Sequence, residues 1–375
     1  MKKLSMKQIS LIVSTTVFAI LLVAVLIILN FTKKNTYVDV LKDKTDVGLL
    51  LNGVADDRSW SMAHAEALES ISDELNLNIV CRENVAADES CVDVIRSLIE
   101  DGCVIIIATS FDFGQYMEQC AAEFPDIYFL HATGTAEGNN IGSFFGRMYQ
   151  FRYLSGIIAG MQTKTNSIGY VASFPISEVN RGINAFTLGV RSVNPEAVVH
   201  VSFCGSWTDD EPAAASSEKL ITEFGADVLA MHTDSLAPLE AADKHGIWSI
   251  GYNYDNSGLF PGSYLTGCVW DWSSYYKEQI LLCLQGKFRG EHDWLGIESG
   301  VMKLVDLGAT RNADPACVGP LNKARERFEK YSFDVFYGPV TDNEGNVRVP
   351  EGESLSDSNM LNNFDWYVEG VEVEQ

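Results

Sequence analysis

Aromatic, acidic and amide side chains recur in this sequence directly after stretches of apolar residues. Trp60 ends the loop that follows VGLLL, and Ser110 and Phe111 follow VIIIA. The candidates for contact with a ligand are Trp60, Ser110, Phe111, Glu178, Arg181, Trp207, Asp234, Asp255 and Trp270. Stacking on an aromatic side chain contributes ~1–3 kcal/mol for each base, and a few well-placed polar groups orient a bound ring. Ordinary packing would explain any one aromatic, but the set indicates a binding site for a flat heteroaromatic compound.

Residues 173–191 connect the end of an apolar strand, residues 168–172, to a predicted helix whose apolar residues recur at helical spacing. In open parallel sheets, ligands bind at the carboxyl ends of the strands. Glu178 and Arg181 are therefore expected at the mouth of a pocket. The sequence leaves an alternative open, in which Arg181 pairs with Glu178 or Asp209 and only braces the loop.

Recognised catalytic motifs are missing from this sequence. It contains no GxSxG, GxxxxGK[ST], HExxH or GxGxxG pattern, and its histidines are scattered along the chain. We therefore expect neither enzymatic activity nor a bound cofactor or metal ion. An enzyme whose catalytic residues are dispersed over the chain is the alternative.

The composition indicates an acidic protein with more than one domain. The chain has 375 residues, and a typical domain has ~100–200. Its 51 acidic and 27 basic residues give a net charge of −24, which argues against nucleic acid as a partner because phosphate binding requires clustered Lys and Arg. The cysteines form no CxxC motif, and a disulfide between Cys81 and Cys91 is one possibility.

An uncharged, mostly apolar stretch occupies residues 9–31. As a helix it would be about 35 Å long, enough to cross a bilayer core of ~30 Å. Lysines within residues 1–8 favour a cytoplasmic N-terminus, and we find no cleavage pattern. We predict a signal-anchor followed by a linker at residues 32–45, hence a single-pass protein of the cell membrane with its body outside the cytoplasm.

Strand-like and helical segments alternate after residue 45, and a similar series restarts at Ile168. This alternation is typical of parallel sheets covered by helices on both faces. We predict an α/β fold of two doubly wound parallel-sheet lobes joined by hinge strands. The first lobe is expected at residues 46–165 with about 273–305, and the second at residues 166–272 with about 306–375.

Residues 153–196, with the runs TKTN, VNRGINAF and SVNP, resemble the BMP family of basic membrane lipoproteins. The similarity extends over about residues 47–307. Members are solute-binding components of ABC importers with the type I periplasmic-binding-protein fold, and they include purine-nucleoside receptors. The resemblance implies that fold here, a small-molecule purine ligand and an ABC permease as partner. We expect a monomer.

The resemblance also assigns roles to the candidate residues. In nucleoside-binding members, two aromatic side chains sandwich the base, and the matching positions are Trp60 and Trp207. The phenylalanine-containing loop of those members matches Ser110 and Phe111, and their acidic loop matches residues 253–255.

One position departs from the nucleoside-binding pattern. Nucleoside-binding relatives have a lysine that helps hold the ribose, and the matching position here is Trp270, within WDWSSYY. A tryptophan has one donor and no charge, so it cannot replace an ammonium group. The ligand expected from this departure is a free purine base such as adenine. A purine nucleoside, a flavin-like compound and a ligand-sensing receptor role remain the alternatives.

Overall fold

The computed structural model describes residues 43–310, 312–331 and 334–374, together with Thr15, Thr16 and Phe18. Apart from those three residues, the predicted membrane-spanning segment at 9–31 lies outside the described residues, so the anchor stays a prediction. Within the described ranges, no helix combines the length and the apolar character needed to cross a membrane.

The strands of the described residues are numbered in chain order. They are β1 (Thr45–Leu50), β2 (Leu77–Arg82), β3 (Ile105–Ala108), β4 (Tyr128–Ala132), β5 (Ile141–Gly146), β6 (Ser167–Ala172), β7 (Val198–Phe203), β8 (Val228–His232), β9 (Trp248–Asn253), β10 (Tyr264–Trp270), β11 (His292–Leu295), β12 (Met302–Leu304), β13 (Val340–Thr341), β14 (Val347–Val349) and β15 (Val371–Glu374).

The helices of the same residues are numbered in the same way. They are α1 (Trp60–Leu75), α2 (Ser90–Glu100), α3 (Gly114–Glu123), α4 (Met148–Gln162), α5 (Ser177–Val193), α6 (Asp210–Thr222), α7 (Ala237–His245), α8 (Ser273–Leu284), α9 (Leu307–Thr310), α10 (Val318–Tyr331) and α11 (Asp357–Asn362).

Two sheets form the centres of two lobes. The first sheet has six parallel strands in the order β11-β5-β4-β3-β1-β2. The second has seven strands in the order β12-β10-β9-β8-β6-β7-β15, with β12 antiparallel to β10 and the other pairs parallel. Central strands such as β3 and β8 are buried along their whole length, as expected where helices cover both faces. The predicted pair of α/β lobes with parallel sheets is confirmed.

Within the described residues, the chain passes between the two sheets three times, after β5, after β10 and after β11. Helix α8 packs against α1 of the first lobe, whereas α4 packs against α5 and β10 of the second. The contacts of α4 therefore lie with the second sheet, although its residues precede 165, the number at which we expected the first lobe to end.

Helices α4 and α5 approach each other closely because glycine lies at their contact points. A Cβ added at Gly156 would overlap the carbonyl of Phe186, and one added at Gly189 would overlap the carbonyl of Tyr153. This close pair packs against the second sheet through α4, and the far side of α5 holds another segment of the chain.

The far side of α5 holds the segment that leads into β15. Asn180 Nδ2 donates to the carbonyl of Phe364 at 2.9 Å. Asn184 Nδ2 donates to the carbonyl of Trp366 at 2.7 Å, and its Oδ1 accepts from the Val368 amide at 3.0 Å. Asn184 is fully buried, so it acts as a bridge between a helix and the backbone of residues 366–368.

We expect Asn184→Ala to lower the free energy of unfolding by ~2–4 kcal/mol, because it leaves two buried backbone groups without a partner. Asn362→Ala is the matched control: this exposed side chain donates to the carbonyl of Ser358 in its own helix, and its loss should change stability by less than ~0.5 kcal/mol. Urea unfolding of both variants measures the difference. Equal urea midpoints would contradict the bridging role of Asn184.

Candidate functional site

The carboxyl ends of strands from both sheets meet at the junction between the lobes, and a chain of hydrogen bonds crosses it. Ser59 Oγ, from the loop after β1, donates to Oδ1 of Asp234, from the loop after β8, at 2.7 Å. Asn253 Nδ2, at the end of β9, donates to the same oxygen at 2.6 Å. Trp270 Nε1, at the end of β10, donates to Asn253 Oδ1 at 2.8 Å. One carboxyl thus joins the two lobes.

The start of α1 fixes the first-lobe side of this chain. Asp57 accepts hydrogen bonds from the backbone amides of Ser59, Ser61 and Met62 at 2.8, 2.9 and 3.0 Å. A carboxylate at this place also interacts favourably with the positive end of the helix dipole. The turn therefore presents Ser59 and the following Trp60 to the second lobe.

Trp270 fixes the orientation of the Asn253 amide. Its indole can only donate, so the oxygen of Asn253 must face it and the amide nitrogen must face Asp234. Trp270 is itself held by a stacked Trp272 ring, with centroids 4.7 Å apart and planes 13° apart. A Cβ at Gly146 would overlap the Trp270 ring. Asn253 has a φ of 64°, a left-handed conformation that asparagine tolerates better than most residues.

Asp234 is the electrostatically unusual group of the site. Burial raises the pKa of its carboxyl to about 7, although the hydrogen bonds from Ser59 and Asn253 oppose that shift. Both donors bond to Oδ1, and no described residue donates a hydrogen bond to Oδ2. Among the described residues, the two hydrogen bonds to the carboxyl thus converge on Oδ1 alone.

Aromatic residues lie near the ends of these strands in both lobes. Trp60 Nε1 donates to the carbonyl of Thr109 at 2.6 Å, and its ring meets Trp270 edge to face at 5.7 Å. Trp207 approaches Phe174 at 6.0 Å. The carbonyl of Trp207 accepts from the Asp234 amide at 2.7 Å, so its backbone holds the loop that carries the carboxyl.

A buried polar group lies beneath Trp207 in the second lobe. His232 is almost fully buried, and burial lowers its pKa to about 4, so its ring is neutral at neutral pH. Its Nε2 lies 3.9 Å from Glu178 Oε1, too far for a direct hydrogen bond. Burial alone would raise the pKa of Glu178, but the polar ring of the nearby His232 and the positive guanidinium groups of Arg181 and Arg152 outweigh it and lower that pKa. Glu178 is therefore ionised.

Arg152 braces the second-lobe strands next to His232 and Glu178. The side chain is fully buried, and its Nη1 donates to the carbonyl of Met231 at 2.8 Å. Its guanidinium lies 3.9 Å from the centroid of the Tyr252 ring, a favourable cation–π distance. Arg152 thus holds the ends of β8 and β9 at the positions from which Asp234 and Asn253 extend.

The structure brings three of the candidate residues into one connected group, Trp60, Asp234 and Trp270. Trp207 joins this group through its backbone. Glu178 is linked to it less directly, because His232 lies 6.2 Å from Trp207.

The other candidates have different surroundings. The carbonyl of Ser110 bonds to His131 Nε2 at 2.7 Å, and Phe111 is 62% exposed. Arg181 is buried and donates to the carbonyl of Met360 at 2.5 Å. Asp255 is exposed, and its carboxylate accepts from the Ser257 amide at 2.9 Å.

The sequence did not single out Ser59 as a candidate, and it pointed to Asn253 only as part of the loop at residues 253–255. Ser59 directly precedes the candidate Trp60, and that adjacency was the available signal. Nothing local in the sequence indicates its partner, because Asp234 lies 175 residues further along the chain.

A family profile described as ABC transporter substrate-binding protein PnrA-like, named Bmp, matches residues 44–325. A Haloferax volcanii protein, provisionally named as an ABC transporter glucose-binding protein, is 36% identical over 85% of this chain and 78% of its own. A purine-binding protein of Brucella abortus is 31% identical over 88% of this chain and 94% of its own.

Solved structures show the same fold. A solute-binding protein of an ABC transporter system from Conexibacter woesei has a TM-score of 0.67 and 20% identity, covering 77% of this chain and 98% of that protein. A transcriptional activator of the comK gene from Bacillus halodurans has a TM-score of 0.67 and 23% identity, covering 76% and 98%. The profile match and the two relatives extend over both lobes, and the chain belongs to the Bmp family of ABC transporter substrate-binding proteins.

Proposed function

We propose that this protein binds a purine, preferentially a free base such as adenine, at the junction between its lobes and delivers it to an ABC permease. The observation that carries this proposal is the Asp234 carboxyl, which joins the lobes through Oδ1 and keeps Oδ2 without a described donor. An adenine ring offers N–H donors along its edge. A buried acceptor beside tryptophan rings suits such an edge better than it suits an apolar ring.

Trp60 and Trp207 are the proposed stacking residues. They come from opposite lobes, and both are only partly buried in the described structure, so each keeps ring surface that a ligand can cover. Closing the lobes on a flat ring would use both faces of that ring. Glu178 is proposed as a further acceptor, because it remains ionised although it is partly buried.

Trp270 favours a base over a nucleoside. It is 6% exposed, stacked on Trp272 and bonded to Asn253, so it cannot move aside without breaking the chain that orients Asp234. It carries no charge that could hold ribose hydroxyls. The purine-binding name of the Brucella abortus relative supports the same ligand class.

The remaining candidates take smaller roles in this proposal. Ser110 and Phe111 form the rim next to Thr109, which accepts from Trp60. Arg181 and Asp255 act at a distance, by bracing the tail and the loop after β9. The apolar stretch at residues 9–31 is proposed to tether the protein to the membrane, with its body outside the cytoplasm.

Calorimetric titration of the purified full-length chain in detergent tests the function. The panel contains adenine, adenosine, guanine, riboflavin and glucose. We expect the tightest binding for adenine and weaker binding for adenosine. Binding of riboflavin or glucose without any purine would overturn the assignment, and tighter binding of adenosine than adenine would overturn the role given to Trp270.

Trp207→Ala and Trp248→Ala locate the site within the same titration. Loss of one stacking ring should weaken adenine binding by ~5- to 150-fold, corresponding to ~1–3 kcal/mol. Trp248 is also partly buried, but it lies at the amino end of β9, away from the junction. Its removal should leave the affinity within about twofold, and equal losses in both variants would place the ligand elsewhere.

We expect Trp270→Phe to weaken adenine binding by ~10-fold or more, since it removes the donor that orients Asn253 and with it one hydrogen bond to the carboxyl. Trp272→Phe is the matched control, because this buried indole N–H has no hydrogen-bond partner among the described residues. Calorimetry on both variants separates loss of a hydrogen bond from loss of ring area. A similar affinity in the two variants would contradict the orienting role.

Stability should depend on pH through Asp234. Its carboxyl has a pKa of about 7 in the folded protein against 3.8 ordinarily, so the folded chain keeps a proton that the unfolded chain has released. The free energy of unfolding therefore falls as pH rises from about 4 to about 7. Above that range it does not change further with pH through this group. Asp234→Asn should gain stability relative to the parent across the same window. Urea titrations between pH 4 and 8 measure this, and a constant difference between the proteins would contradict the burial of the carboxyl.

A further inference from the structure

A second cluster of polar side chains lies far from the lobe junction, at the outer edge of the second sheet. His200 of β7 faces two carboxylates of the last strand, β15. Its Nδ1 lies 2.7 Å from Glu374 Oε1 and 3.5 Å from Glu372 Oε2. One ligand atom from each of the three residues can be chosen so that all lie within 4.8 Å of one another.

Strand register produces this convergence. β15 pairs in parallel with β7, and Glu372 lies directly opposite His200. Glu374 follows two residues later, so it projects from the same face of the strand as Glu372. The His200 ring also packs against Phe224, with centroids 4.9 Å apart and planes 32° apart. The imidazole is therefore held in place, with Nδ1 directed towards the two carboxylates.

A simple hydrogen bond accounts for only part of this arrangement. The contact at 2.7 Å explains the position of Glu374, whose side chain is 15% exposed. The strand register brings Glu372 to the same nitrogen, at 3.5 Å, so that two carboxylates converge on one imidazole in an already acidic protein. Two carboxylates at one nitrogen repel each other, and a cation bound between them would relieve that repulsion.

We propose that His200, Glu372 and Glu374 form a site for a divalent transition-metal ion, with Zn²⁺ as the preferred ion. One imidazole nitrogen and two carboxylate oxygens are a donor set that Zn²⁺ accepts, with the fourth position open to water. Mg²⁺ and Ca²⁺ prefer sites made of oxygen atoms alone. The bound ion fastens β15 to β7, and this site is independent of the purine site.

The consequence is a local increase in the stability of the final strand. Among the strands that the structure describes, β15 is the last of its sheet and pairs with β7. Its preceding segment is held by Asn184, so a metal ion at Glu372 and Glu374 would secure the strand at its far end as well.

The test is calorimetric titration of the tag-free full-length chain with ZnCl₂, and separately with MgCl₂. We expect one zinc ion per chain and no comparable binding of magnesium. His200→Ala and Glu374→Gln should each weaken the zinc affinity at least tenfold. Glu372→Gln changes an exposed side chain and should do the same while leaving the fold intact.

His245→Ala is the matched control, because His245 also pairs with a glutamate, Glu218, at 2.8 Å but belongs to no three-ligand group among the described residues. Its zinc affinity should equal that of the parent. Hydrogen exchange of the β15 amides should slow on addition of zinc in the parent and remain unchanged in Glu372→Gln. Absence of stoichiometric zinc binding, or equal binding by the parent and all three site variants, would overturn the proposal.

Discussion

The arrangement of the site depends on one carboxyl that is buried between the lobes. Burying Asp234 is unfavourable for its charged form, and this is why its pKa rises. The structure compensates by directing Ser59 of one lobe and Asn253 of the other at a single oxygen. Trp270 fixes Asn253, Trp272 fixes Trp270, and Arg152 holds the strand ends from which these residues extend. Each of these contacts constrains the position of the carboxyl.

The contacts of α4 and α5 explain how the second lobe keeps its shape. Glycines let α4 and α5 pack closely, and the opposite side of α5 uses Asn180, Arg181 and Asn184 to hold the tail. The first turn of α5 also carries Glu178, which approaches His232. One helix, α5, therefore contacts both the tail of the chain and, through Glu178, the second-lobe side of the candidate site.

The local sequence pattern was sufficient to predict the two α/β lobes, because alternating strands and helices with continuous apolar runs predict parallel sheets. It was also sufficient for Trp60, Asp234 and Trp270 as a group, since all follow strands whose carboxyl ends must meet. Local pattern could not assign Arg181. Its position at the start of a helix after β6 predicts a pocket, but its observed partner is a carbonyl 179 residues away. Ser59 and the edge cluster at His200 likewise depend on pairings between segments that are distant in sequence, and no periodicity encodes these pairings.

A crystal structure of the protein with adenine tests the central claim most directly. The claim predicts that Asp234 Oδ2 accepts a hydrogen bond of about 2.7–3.2 Å from a nitrogen on the adenine edge, with the ring between Trp60 and Trp207. Ser59 and Asn253 should still donate to Oδ1. A structure with adenine bound away from Asp234, or with that carboxyl bonded to protein groups alone, would contradict it.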